Sequence, residues 1–373
     1  MALKARDRVS RTELERRQRE VASAVAEHGL DAMLVSGINF AATLGYLRYL
    51  TNWAQPFVGE YYLLGKSGEG IFLARTQERA MLVREASRIS SRAGASARDV
   101  AQEMRRFGAR RVGVCSVETM TAAFYQQLLE ETGDIELRDA TAIMDQARMV
   151  KSPEELDWVR KSSELCDAAL ARFTELAAPG ANEHDVFAEL DYLVRKRGAE
   201  NTYFMMASDP APVPKFLDMA ADSYDAGDVI LFNAEIAGPG GYYTQLVRSG
   251  CVGKSSAEVR EVYAVCLAAL EAGEAALKPG VTASRLFHVM DAVIGNSPYR
   301  RGLHMGHAQG LDIFEKPLVS ANDETVMQPG MIMVFHPHVE LPGGGGVWVG
   351  DTFLVTGNGN SRLNRSSREL IQV

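Results

Sequence analysis

The chain has little that would staple or anchor it. Its four cysteines, Cys115, Cys166, Cys251 and Cys266, are scattered and form no CxxC pair, which argues against a disulfide framework and against structural zinc. No apolar run approaches the length of a membrane span, and the opening MALKARDRVSR lacks the apolar stretch of a secretory leader. The expectation is a cytoplasmic protein with no membrane partner. Positive charge is in deficit, with a formal net charge of −8, so nucleic acid is not expected as a partner. The basic-looking RDRVSRTELERRQRE alternates with acids and reads as a solvated amphipathic helix. Histidine is scarce too. There are seven, yet His304, His307, His336 and His338 fall within one short region.

Apolar material is ample: 46% of the 373 residues are hydrophobic and 24% charged, and the length points to two domains. TELERRQREVASAVAEHGL, DVAQEMRRFG and TAAFYQQLLEETG carry helical periodicity; DAMLVSG, YYLLG, GIFLA and RRVGVCS read as short strands between them. That alternation predicts an α/β unit over residues 1–150. Ser152 as N-cap, Pro153 at the first helical position and Glu154 and Glu155 behind it open a second domain over 151–373.

The second part repeats itself. PGANEHDVFAELDYLV from Pro179 and PGVTASRLFHVMDAVI from Pro279 coincide at an offset of 100. GDVILFNAE from Gly227 pairs with GMIMVFHPH from Gly330, which matches Asn233 with His336. Two halves related in this way predict a pseudo-twofold domain whose strand ends meet at a central cleft. The apolar run Met331–Phe335 is then a core strand whose end, His336, faces that cleft.

On LKPGVTA, GYYTQLVRS, GHAQGLDIFEKP, QPGMIMVFHP and GDTFLVT, in that order, the chain resembles the creatinase, prolidase and methionine aminopeptidase superfamily with its pita-bread fold. The resemblance implies an α/β (α+β) protein with a creatinase-like N-terminal domain. It also implies homodimerisation, with the N-terminal domain of one subunit closing the neighbour's cleft, where Trp53 and Arg48 would serve as lid residues and Trp53 with Phe57 would wall an apolar or aromatic ligand. Peptidases of the superfamily hold two metal ions with two aspartates, one histidine and two glutamates. Carried over residue by residue, the aspartates become Asn233 and Gln245, the histidine stays as His307 in GHAQG, and the glutamates become His336 and Gly350. Glu235 is an alternative occupant of the first position. Neutral amides and a glycine are poor ligands for such ions, so the expectation is no metal and no cofactor.

The remaining polar residues suggest the chemistry. His307 and His336 are the candidate general base and acid near neutral pH, with Glu235 as a further acid or base and Asn233 and Gln245 orienting substrate or an oxyanion. Candidate substrate-binding residues are His304, His338, Lys215, Tyr242, Tyr243, Arg248, Glu315 and Trp348, with Arg301 as a further cation. A new metal site built from His307, His336 and His338 is disfavoured here on the expectation that His336 and His338, alternating along a strand, point to opposite faces. The expected function is a metal-independent hydrolase of C–N bonds in a small molecule, of the creatinase or ectoine hydrolase kind. The alternatives are a lyase or decarboxylase and a non-catalytic binding protein.

Overall fold

The computed structural model of the chain describes residues 8–37, 45–54, 58–216, 223–302 and 304–373. Phe57 lies outside them. The chain divides into two compact units, Met1–Arg148 and Met149–Val373.

In the first unit, short apolar runs and capped helices alternate: α1 (Arg11–Glu27), β1 (Ala32–Ser36), α2 (Gly45–Thr51), β2 (Tyr61–Gly65), β3 (Gly70–Ala74), α3 (Gln77–Ser87), β4 (Ser91–Ala93), α4 (Ala97–Arg106), β5 (Arg111–Cys115), α5 (Ala122–Thr132), β6 (Glu136–Asp139) and α6 (Thr141–Met149). The strands form one sheet ordered β4-β3-β2-β1-β5-β6, with β1 parallel to β5 and antiparallel to β2. The N-terminal helix differs from the expected solvated one. Arg17 is 1% exposed, bonds Glu13 at 2.9 Å and lies 4.4 Å from the centre of the Tyr49 ring, so its charge is paired inside the unit.

The second unit runs α7 (Pro153–Leu176), α8 (Glu183–Lys196), β7 (Asn201–Asp209), β8 (Val229–Ala237), β9 (Tyr243–Cys251), α9 (Ala257–Ala276), α10 (Ala283–Gly295), β10 (Gly306–Ala308), β11 (Glu315–Leu318), β12 (Ile332–Phe335), β13 (His338–Glu340), β14 (Gly346–Trp348), β15 (Asp351–Val355), β16 (Asn360–Arg362) and β17 (Ile371–Gln372). It opens on a capping box. The Ser152 hydroxyl accepts from the Glu155 amide at 3.3 Å, and the Glu155 carboxylate accepts from the Ser152 amide at 2.7 Å, satisfying two donors that a helix start leaves orphaned. Ser152→Ala is expected to lower the unfolding free energy by about 1 kcal/mol; urea denaturation reads it.

The repeat is real at the level of elements. Two helices, α7 and α8, precede the sheet β17-β9-β8-β7; two more, α9 and α10, precede the sheet β11-β10-β12-β15-β16. Asn233 and His336 each follow four strand residues, Val229–Phe232 and Ile332–Phe335. One core cluster packs Leu165, Cys166, Phe173 and Leu190 under β8 and β9. Its counterpart packs Val262, Cys266, Leu270 and Met290 under β12 and β15. The two sheets meet where Val247 of β9 bridges Gly350, and where Thr352 of β15 accepts from the Gln245 amide at 3.0 Å and donates to the Gln245 carbonyl at 2.9 Å. That seam brings the polar end of each repeat to one place.

Candidate functional site

On the β8–β9 side of the seam, alternation along β8 sets Asn233 and Glu235 on one face, and the register pairs Glu235 with Gln245 across the hairpin. Gln245 donates to the Asn233 carbonyl oxygen at 2.9 Å, and Asn233 donates to Glu235 at 3.1 Å. Gln309 donates to the other Glu235 oxygen at 3.2 Å. Glu235 is thus held by two amides and faces no cation among these contacts. Burial pushes its carboxyl up to about 8, and the Asn233 bond only partly offsets this. At neutral pH it carries a proton. The Oε1 atoms of Gln245 and Gln309 are buried without a hydrogen-bond partner.

Gln309 was not singled out by the sequence reading. The available signal was its place in GHAQG, two residues beyond His307 on the same chain segment. Through it the amide cluster reaches the second half of the site.

On that side, β10 pairs with β12 so that His307 lies opposite Val334, and His336 follows at the end of β12. The rings of His304, His307 and His336 surround one point, with centroids 6.0, 5.0 and 5.1 Å apart for the pairs 304–307, 304–336 and 307–336. Phe314 packs 4.3 Å from the His307 ring, and Trp348 meets His336 edge-on at 5.5 Å while its indole N–H donates to the His336 carbonyl at 2.7 Å. Burial drives the His307 imidazole down to about 3 and takes His336 well below its ordinary range. Full burial removes the water that would stabilise an imidazolium, so both rings favour the neutral form.

The other candidates divide. Trp348 packs edge-on against His336 at the imidazole cluster. His338 is apart from the three rings: it lines a separate cleft with Pro212, Val213, Pro214 and Gly345. Arg248 is corrected from a substrate clamp to a structural residue. Its five N–H donors are met by the carbonyls of Ser367, Val247, Gly350 and Ser366 and by the Asp351 carboxylate, which exhausts a guanidinium. Tyr242 is buried and donates to Glu155 at 2.8 Å; the Tyr243 hydroxyl accepts from Asn201 at 2.8 Å. Glu315 forms a buried pair with Lys151 at 2.8 Å. Lys215 is half-buried and bridges Met206 on the outer side of β7, two strands from Gln245. Arg301 pairs with Asp291 at 2.7 Å. Trp53 and Arg48 are buried within the first unit, where the Arg79 guanidinium lies 5.5 Å from the Trp53 ring centre.

Comparison with known proteins sets this arrangement in a family. Residues 157–357 match metallopeptidase family M24, more than half of the chain, and residues 17–150 match the creatinase/prolidase N-terminal domain. The chain belongs to family M24. Among M24 relatives, an Xaa-Pro dipeptidase of Pyrococcus horikoshii is 28% identical over 329 residues, covering 87% of this chain and 91% of the relative. An Xaa-Pro dipeptidase of Pyrococcus furiosus is 30% identical over 259 residues, 68% of this chain and 74% of the relative. The solved prolidase from Pyrococcus horikoshii superposes with a TM-score of 0.85 at 24% identity, over 95% of this chain and 100% of that one, which shows the same pita-bread fold behind a creatinase-like N-terminal domain. M24 membership makes the chain an enzyme of a hydrolase family. It overturns the expectation of a metal-independent enzyme of the creatinase kind, and with it the lyase, decarboxylase and binding-protein alternatives: the family is one of metallopeptidases, and its relatives along most of the chain are named Xaa-Pro dipeptidases. Among the described residues no helix is long and apolar enough to cross a membrane.

The paired metal ions of the M24 peptidases can be tested against the side chains present. Asn233 and Gln245 spend their amides on each other and on Glu235. Gly350 offers only a carbonyl, already bonded to Arg248 at 2.8 Å and to the Val247 amide at 3.0 Å. This donor set does not fit two carboxylate-bridged cations, and no chemical step is derived through such a pair. Nor does the missing glutamate have room: a Cβ at Gly350 would stand 2.6 Å from the His336 Cβ and 2.7 Å from the Phe335 carbonyl oxygen. Gly350→Glu is expected to destabilise the chain by about 1–3 kcal/mol through overpacking, read as a lower urea midpoint at unchanged slope.

Proposed function

We propose that the chain hydrolyses the peptide bond of a dipeptide-like substrate at the seam of its second unit, with Glu235 as the group that carries the proton. The observation that bears this reading is the buried Glu235 carboxyl clasped by Asn233 and Gln309, whose burial favours its protonated form. The names of the relatives, Xaa-Pro dipeptidase over most of the chain, support the substrate class. An amine is a poor leaving group until it is protonated, so the first need of amide cleavage is a positioned acid with a pKa near the working pH. Glu235 gives its proton to the amide nitrogen as the C–N bond breaks. The attacking water forms the new C–O bond and returns a proton to Glu235, so the carboxyl is restored. The unpartnered amide oxygens of Gln245 and Gln309 are acceptors for the N–H groups of a free amino terminus, which selects short substrates.

The test is a panel of dipeptides with proline and non-proline second residues, followed by release of free amino acids. Turnover of at least one dipeptide, lost in Glu235→Gln, supports the reading. A panel without turnover, from protein supplied with divalent metal, overturns it.

A further inference from the structure

His336 is fully buried, and neither of its ring nitrogens has a hydrogen-bond partner. A neutral imidazole offers one donor and one acceptor, and leaving either buried and unmet is unfavourable. Something has to meet this ring. Its neighbours narrow the choice. His307 contacts the Ala308 carbonyl oxygen through Nδ1 at 3.0 Å. A carbonyl only accepts, so Nδ1 carries the proton and Nε2 keeps a lone pair, the tautomer that a backbone carbonyl imposes on metal-bound histidines. His304 supplies a third ring from an exposed position. One nitrogen from each of the three rings lies within 4.8 Å of the others. Phe314 and Trp348 add apolar walls and no charge.

We infer that His304, His307 and His336 bind a single divalent cation of the zinc class, leaving one coordination position open. Metal–nitrogen bonds of about 2.0–2.1 Å in a tetrahedral site place ligand nitrogens roughly 3.3 Å apart. The trio needs to contract modestly to reach this, and His304 is the exposed ring of the three. Three neutral imidazoles suit zinc, cobalt, nickel or copper and not the oxygen-seeking magnesium or calcium. With no carboxylate among the three there is nothing to bridge a second ion, so the count is one. This site is not the ligand set of the family's paired ions. It shares two positions with that set, His307 and His336, the latter an imidazole where the family has a carboxylate, and takes its third ligand, His304, from outside it. His338, which the spacing offered as the third ligand, takes no part. The inference stands whichever substrate is hydrolysed.

The test is direct titration of the full chain, stripped with a chelator and dialysed, with Zn²⁺ by calorimetry and with Co²⁺ by visible absorption. One equivalent should bind, with the d–d bands of a tetrahedral cobalt site and a raised melting temperature; Mg²⁺ should do neither. His304→Ala, at an exposed position where folding is not at risk, and His336→Ala should each weaken zinc binding by more than about 100-fold, beyond what loss of an outer-shell partner costs. His338→Ala should leave it unchanged. Two equivalents, no saturable binding, or affinity that survives His304→Ala would overturn the site.

Discussion

Replacing Asp351 by alanine is expected to lower the unfolding free energy by about 3–5 kcal/mol, the cost of stripping one partner from a buried ion cluster. Asp351 is fully buried and gathers three guanidiniums: Arg248 donates to it at 2.8 Å, Arg362 at 3.2 Å and Arg368 at 2.6 Å. Arg248 is itself fully buried, so removing the carboxylate strands a charge where water cannot reach it. Burial alone would raise the Asp351 carboxyl, yet the three arginines hold it below its usual range. A group with a depressed native pKa stabilises the fold above its unfolded value and loses that contribution as pH falls through the native one. Wild type should therefore lose this part of its stability only in acid, below the ordinary aspartate range, and Asp351→Ala should lack the step. Urea denaturation from pH 7 to pH 3 measures both. A loss below about 1 kcal/mol at pH 7 would mean that the arginines find other partners.

The second large effect is on turnover. Glu235→Gln keeps the shape of the side chain and can still accept from Asn233, but it has no acidic proton. A positioned acid contributes about 10²–10⁴-fold, and the variant should lose that factor in kcat with KM little changed, since the amides that hold the substrate remain. Stability should move the other way. Between the ordinary value of 4.5 and its native value of about 8, Glu235 is protonated in the fold and ionised in the unfolded chain. Folding then takes up a proton, so stability falls as pH rises through that window, by up to about 1.4 kcal/mol per pH unit. Glu235→Gln should flatten that slope and be the more stable protein at pH 9, measured with a chelator present. Equal slopes for the two proteins would place the carboxyl in contact with water. Lost turnover together with lost stability at every pH would make Glu235 a packing residue.

What could be read in advance follows from how far each interaction reaches along the chain. Ser152, Pro153 and Glu155 announce α7 because a cap is settled within four residues. The paired runs VILFN and IMVFH announce β8 and β12 because burial on both faces demands unbroken apolar sequence. The role of Arg248 was hidden: Asp351 and the carbonyls of Ser366 and Ser367 lie more than 100 residues away, and no local pattern says which cations a fold will spend on itself. The histidines show both sides. Setting His338 apart from His336 by strand alternation gave the right outcome for a wrong reason: residues two apart on an unbroken strand share a face, and the two rings part because the strand breaks at His336 and Pro337, between β12 and β13. Adding His304 needed the pairing of β10 with β12, which sequence does not display. Nor does sequence display dryness, which carries the imidazoles away from neutrality and Glu235 toward it.

The seam joins two halves of like architecture that carry unlike chemistry, an acid among amides on one side and bare imidazoles on the other. A scaffold with a twofold shape but a one-way polarity reads its guest like a battery holder. A molecule bound across the seam with unlike ends would fit in a single direction, and the same two building blocks joined in reverse order would meet the wrong pole at each end.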